Sequence, residues 1–89
     1  MQNIKSEVRK LINLYQTSDP FALCKALNIL IIKIDLGSIR GIYQYKNRKQ
    51  IIYLNCNLHS TLSRQVCAHE LGHAILHKKT NTIFLDTYT

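Results

Sequence analysis

The stretch His69-Glu70-Leu71-Gly72-His73 is chemically coherent only on an α-helix, and no other feature constrains the fold of this chain as tightly. Four residues of helix turn through about 400° and rise about 6 Å, so the two imidazoles lie about 40° apart on one face and can converge on a single ion. Glu70 falls about 100° from His69, where it reaches past such an ion toward a water instead of ligating it. That is the position of a general base. A histidine on an amphipathic helix is otherwise a surface or hydrogen-bonded residue. The full pattern arises by chance in so short a chain with a probability below roughly 1% at ordinary composition.

Two histidines four residues apart with a glutamate directly after the first suit zinc. A catalytic zinc takes three protein ligands and an open position for water, whose pKa then falls toward about 7. His69 and His73 supply two of the three. His77 lies about 12 Å along the helix axis from His69, so one ion with bonds of about 2.0 Å cannot hold both on a straight helix, and His77 reads instead as an end-of-helix cation or hydrogen-bonding residue. The remaining polar candidates are Asp86, His59, Asp35 and Asp19. Asp86 is near enough to His73 for a returning segment to bring it back, but no local pattern marks any of the four as a ligand.

Around that helix the chain reads as α+β. Ile4, Val8, Leu11, Ile12 and Tyr15 recur at helical spacing and predict a first helix from Asn3 to Gln16. Thr17-Ser18-Asp19-Pro20 breaks it and starts a short second helix to Leu27, with Asp19 or Ser18 as N-cap and Pro20 in the first turn. Ile29 to Asp35 predicts a largely buried strand, and Leu36 to Gly41 a turn-rich connection. Ile42 to Lys46 and Gln50 to Asn55 predict a hairpin whose tip holds Asn47, a residue tolerant of positive φ. After a polar loop, Ser60 or Asn57 caps the third helix, which turns Leu62, Val66, Leu71, Ala74 and Ile75 inward, sets the histidines on an adjoining face and ends near His77 to Lys79. The tail from Thr80 to Thr89 is polar except for Ile83-Phe84-Leu85, a patch that needs somewhere to dock. The expected architecture is N-terminal helices, a small three-stranded, mainly antiparallel sheet and the motif helix, in one domain over residues 1–89.

Composition narrows the function classes. With 46% hydrophobic and 19% charged residues and one proline, the chain belongs with folded domains, and at 89 residues its core is thin. The N-terminus lacks a continuous apolar run and the longest aliphatic run is Ile29 to Ile32, which predicts a soluble, cytoplasmic protein away from membranes. Three cysteines, Cys24, Cys56 and Cys67, are an odd count without paired spacing and read as reduced thiols, with Cys67 turned into the core about 200° from His69. The formal charge of +7 is spread along the chain, with one cluster at Lys46-Asn47-Arg48-Lys49. Tyr43, Tyr45 and Tyr53 fall in strands, so the pattern favours a solvated basic surface or an acidic protein partner over direct nucleic-acid binding.

Asp19-Pro20-Phe21, Leu54-Asn55-Cys56-Asn57 and Arg64 through His77 together resemble the N-terminal part of the ImmA/IrrE family of zinc metallopeptidases. The resemblance covers nearly the whole chain and is most specific from Ala68 to His77. It implies a minimal gluzincin-like fold, Zn2+ as cofactor, His69 and His73 as metal ligands, and Glu70 as catalytic base and proton shuttle. It also implies a protein substrate, a helix-turn-helix repressor or other regulatory protein of a phage or mobile element. The family's third ligand is a glutamate on a later helix, and no residue here matches it, which predicts a chain truncated before the family's C-terminal helices. A noncatalytic protein-binding module and a small DNA-binding protein remain as rival expectations.

Overall fold

The computed structural model describes residues 4–76 and 82–87, with side chains for all of these except residues 4, 5, 7 and 82–87. The elements run α1 (Ile4–Tyr15), α2 (Pro20–Ala26), β1 (Leu30–Ile34), β2 (Ile39–Lys46), β3 (Lys49–Asn55), α3 (Ser60–Leu76) and β4 (Thr82–Thr87). Within α1, Leu11 and Ile12 pack against the core, whereas Tyr15 is exposed. Gln16 then turns to φ 56° and ends the helix.

Local chemistry sets both ends of α2. Asp19 accepts a hydrogen bond from the Phe21 amide at 3.1 Å, and Pro20 opens the first turn. At the other end Asn28 adopts φ 61°, its amide donates to the Lys25 carbonyl, and the Ile29 amide donates to the Cys24 carbonyl at 2.8 Å. This paired closure by a left-handed residue is a Schellman turn, and it places Ile29 in the core. The β2–β3 hairpin turns on Asn47 at φ 53° and Arg48 at φ 63°. Two consecutive positive φ values match the right-handed twist of the strands.

The sheet has four strands in the order β1-β3-β2-β4, one more than expected. β1 runs parallel to β3, while β2 is antiparallel to both β3 and β4. The Ile83-Phe84-Leu85 patch, read from sequence as part of a polar tail, docks here as β4, opposite Gln44, Tyr43 and Ile42. β1 also departs from expectation. It lies at the edge of the sheet, with Leu30 55% and Ile34 42% exposed, because hydrophobic content alone does not separate a central strand from an edge strand. β2 starts at Ile39, so the expected connection from Leu36 to Gly41 is shorter than its glycines suggested.

α3 lies across β2 and β3, and α2 packs against α3 and β1. The face under the helices carries Gly41 and Tyr43 from β2 opposite Leu54 and Ile52 from β3, all four buried. Leu23, Cys24, Val66, Cys67, Leu71 and Ala74 close the core from above. Gln50 ties sheet to helix, donating to the Tyr43 hydroxyl at 3.0 Å and to the Ala74 carbonyl at 2.8 Å. Burial pushes the Tyr43 phenol above its ordinary pKa, against a smaller opposing effect from the Gln50 bond. No helix among the described residues is long and apolar enough to cross a membrane.

Asn55 organises the sheet's end. Its Nδ2 donates to the carbonyls of Gly37 and Ile39 at 2.8 and 2.9 Å, and its Oδ1 accepts from the Asn57 amide at 3.0 Å. Replacing it with alanine leaves two carbonyls and an amide without these bonds. Asn55→Ala is expected to destabilise the chain by about 2–4 kcal/mol, read as a lower urea midpoint with an unchanged slope.

Candidate metal centre

The motif occupies the middle of α3, and the sheet determines what each of its residues meets. His69 is exposed and His73 half-buried, with ring centroids 4.9 Å apart and ring planes at 83°. Two imidazoles on one tetrahedral zinc, with bonds of about 2.0–2.1 Å, have ring centres roughly 5 Å apart. The separation of the two rings equals that spacing, and the rings meet edge to face. Among the described residues no group of three histidine, cysteine, aspartate or glutamate side chains could hold an ion.

His59, Asp19 and Asp35 are engaged elsewhere. His59, and not Ser60 or Asn57, caps α3: its Nδ1 accepts from the Leu62 amide at 3.2 Å, and its carbonyl accepts from Ser63. Asp19 caps α2 and pairs with Arg64 of α3 at 3.0 Å. Asp35 accepts from the Gly37 amide at 2.9 Å and from Asn57 at 3.2 Å, bracing the loop after β1. Asp86 stands opposite Gly41 in the β2–β4 register, and its side chain lies outside the described atoms. His77, Lys78 and Lys79 lie outside the described residues, so α3 is described to Leu76.

Glu70 is 0% exposed, and neither carboxylate oxygen has a hydrogen-bond partner among the described residues. It sits in the seam between α3 and β2, against Gly41. A methyl group at Gly41 would stand 2.8 Å from Val66 Cγ1 and 3.1 Å from Glu70 Oε2. Glycine is therefore required there by contact. Sequence reading placed Gly41 in a turn, although an isolated glycine inside a β-branched and aromatic run is also the mark of a close backbone approach. Next to it, β2 carries an irregularity between Ile39 and Gly41 in its pairing with β4, at the position of Arg40. Arg40 lines a cavity of about 230 Å³ together with Leu62, Gln65, Val66 and His69. A bulge beside a site of this kind redirects a side chain that a regular strand would place elsewhere. Another cavity, of about 310 Å³ and lined in part by Phe21, Lys33, Cys56 and Arg64, includes neither motif histidine.

Cys67 packs inward, as its angle from His69 predicts, and its Sγ lies 4.0 Å from that of Cys24. The hydrogen bond between them holds the Cys24 thiol below its ordinary pKa and pushes that of Cys67 up, with burial adding to the rise. Tyr43 is buried, and the half-buried Tyr53 donates its hydroxyl to Gln44 at 3.5 Å.

The IrrE N-terminal-like domain matches residues 24–89. The chain belongs to the ImmA/IrrE metallopeptidase family. It is 42% identical over 87 residues to uncharacterized immunity region protein 2 of Bacillus phage phi105, a match covering 97% of this chain and 55% of the phage protein. It is 36% identical over 83 residues to metallopeptidase ImmA of Bacillus subtilis strain 168, covering 91% of this chain and 48% of that protein. The chain thus spans about half the length of these ImmA/IrrE relatives. No solved structure matches it.

The contact at Gly41 yields a test of the seam. Gly41→Ala is expected to cost about 1–3 kcal/mol by overpacking. Gly41→Ala combined with Val66→Ala should cost less than the sum of the single changes, because removing the Val66 methyls opens space for the new one. Urea denaturation of the four proteins in the cycle measures this coupling.

Proposed function

We propose that this chain carries the catalytic helix of a zinc-dependent endopeptidase, with His69 and His73 as metal ligands and Glu70 as general base. One observation carries the reading: a fully buried carboxylate, without a hydrogen-bond partner among the described residues, next in sequence to a histidine pair spaced for one ion. An isolated buried carboxylate costs stability and invites explanation by chemistry. Bound to His69 and His73, a zinc ion supplies Lewis acidity toward a peptide carbonyl and toward water. Glu70 accepts the proton of the attacking water and delivers it to the leaving amine, and neither oxygen is committed to a hydrogen bond among the described residues. Glu70 has no solvent contact, and the cavity beside His69 is lined by Arg40, Leu62, Gln65 and Val66, so this role requires a local opening that admits water to the carboxylate.

The substrate in this reading is a cytoplasmic regulatory protein, of the helix-turn-helix repressor kind, in a phage or mobile element. The support is membership in the family and the similarity to a phage immunity-region protein and to ImmA. β2 cannot take the substrate as an added strand while β4 pairs with it, so among the described strands the edges left for an extended peptide are those of β1 and β4. A second reading rests on the absence of a third ligand group among the described residues: a noncatalytic module that binds the same regulatory partner. Capture of the partner after chelation would favour the module, and loss of capture the enzyme.

Three outcomes are expected. His69→Ala and His73→Ala should each abolish stoichiometric zinc binding by metal analysis. In a protein of the relatives' length, Glu70→Gln should retain zinc and reduce cleavage by at least about 10²-fold; full turnover by that variant would remove Glu70 from the role. In the metal-free chain the same substitution should raise stability by about 1–3 kcal/mol, since an uncharged amide is less costly to bury than a carboxylate.

A further inference from the structure

We propose that Cys24 and Cys67 are a site of intramolecular disulfide formation, a covalent staple between α2 and the motif helix that a small peroxide installs. The two residues are 43 apart in sequence, and the fold brings their sulfurs to 4.0 Å. Both are free thiols and both are 0% exposed. A disulfide needs about 2.05 Å between sulfurs, so the remaining approach is about 2 Å, within what side-chain rotation and a small shift of one helix provide. α2 is the element able to give. It has seven residues, too few to persist as a helix without its docking, and its N-cap is held to α3 by the exposed Arg64–Asp19 ion pair.

Burial selects the oxidant. A bulky disulfide or alkylating reagent has no path to either sulfur in the docked state, whereas hydrogen peroxide is close to water in size and enters when α2 lifts. The Cys24 sulfur attacks one peroxide oxygen and the O–O bond breaks. The departing hydroxide takes a proton to become water, leaving a sulfenic acid on Cys24. The Cys67 sulfur then attacks the Cys24 sulfur and expels the hydroxyl group, which leaves as a second water with the Cys67 proton. Two thiols are oxidised to one disulfide, and one peroxide is reduced to two waters. Cys56 is exposed and lies outside the pair, which makes it the internal contrast.

The staple would anchor α3 at Cys67, two residues before His69 and three before Glu70, and so fix the helix against α2 without engaging either motif group. The inference does not depend on peptidase activity. The test uses the 89-residue chain carrying Cys56→Ser, treated with hydrogen peroxide, unfolded, alkylated and mapped by mass spectrometry without reduction. The expected result is loss of two hydrogen atoms, no alkylated cysteine, one cross-linked peptide pair containing Cys24 and Cys67, and a thermal midpoint raised by several degrees and restored by dithiothreitol. Adding Cys24→Ala should eliminate both the cross-link and the thermal shift. Two alkylated cysteines after peroxide, sulfinic acids in place of the cross-link, or disulfides found only between chains would each overturn the proposal. If the alanine variant does not fold, the peptide map of the Cys56→Ser chain alone decides.

Discussion

The close approach of α3 to β2 is the constraint on which the rest depends. Gly41 lets the helix settle against the strand where any side chain would meet Val66 and Glu70. That seating removes Glu70 from water while leaving His69 exposed one position earlier on the same helix. An α-helix presents a carboxylate and two imidazoles at fixed angles, but it does not determine which of them is dry. The strand beneath it makes that choice, and the difference in environment between Glu70 and His69 follows from a missing Cβ.

Polar residues outside this seam serve the fold. Asp19 and His59 each satisfy the first turn of a helix, and Asp19 also joins the two helices through Arg64. Asn55 holds the start of β2 against the end of β3, and Gln50 fastens the hairpin to the last turns of α3. Such local bonds form wherever a short polar side chain sits next to an unpaired backbone group. They account for why aspartates and a histidine plausible as ligands on composition alone are spent elsewhere.

How much of this was readable in advance follows from the range of each interaction. The helices, the Asp19 cap, the hairpin and the inward turn of Cys67 depend on neighbours within a few residues, and the periodicity of Leu11, Ile12 and Val66 reported them. The sheet order did not follow. Whether Leu30 and Ile34 face a core or solvent depends on β3 lying beside one edge of β1 and no described strand lying on the other, information held more than fifteen residues away in the chain. The same holds for β4, whose three apolar residues carry no local sign of pairing with β2. At the candidate site the histidine spacing was legible and the burial of Glu70 was not, because Gly41 belongs to a different element and reads locally as a turn. His59 as a cap was also missed, since serine and asparagine in the same loop are the more common caps.

The unpaired side of β1 has a consequence for handling this protein. On the side away from β3, alternate residues of this five-residue strand present backbone amides and carbonyls that no described strand pairs, Leu30 and Ile34 are exposed, and the chain's positive charge supplies the main opposition to two molecules meeting there. Added salt weakens that repulsion without closing the strand. Self-association should therefore grow with ionic strength as well as with concentration, and dilute, low-salt solutions should keep the molecules apart.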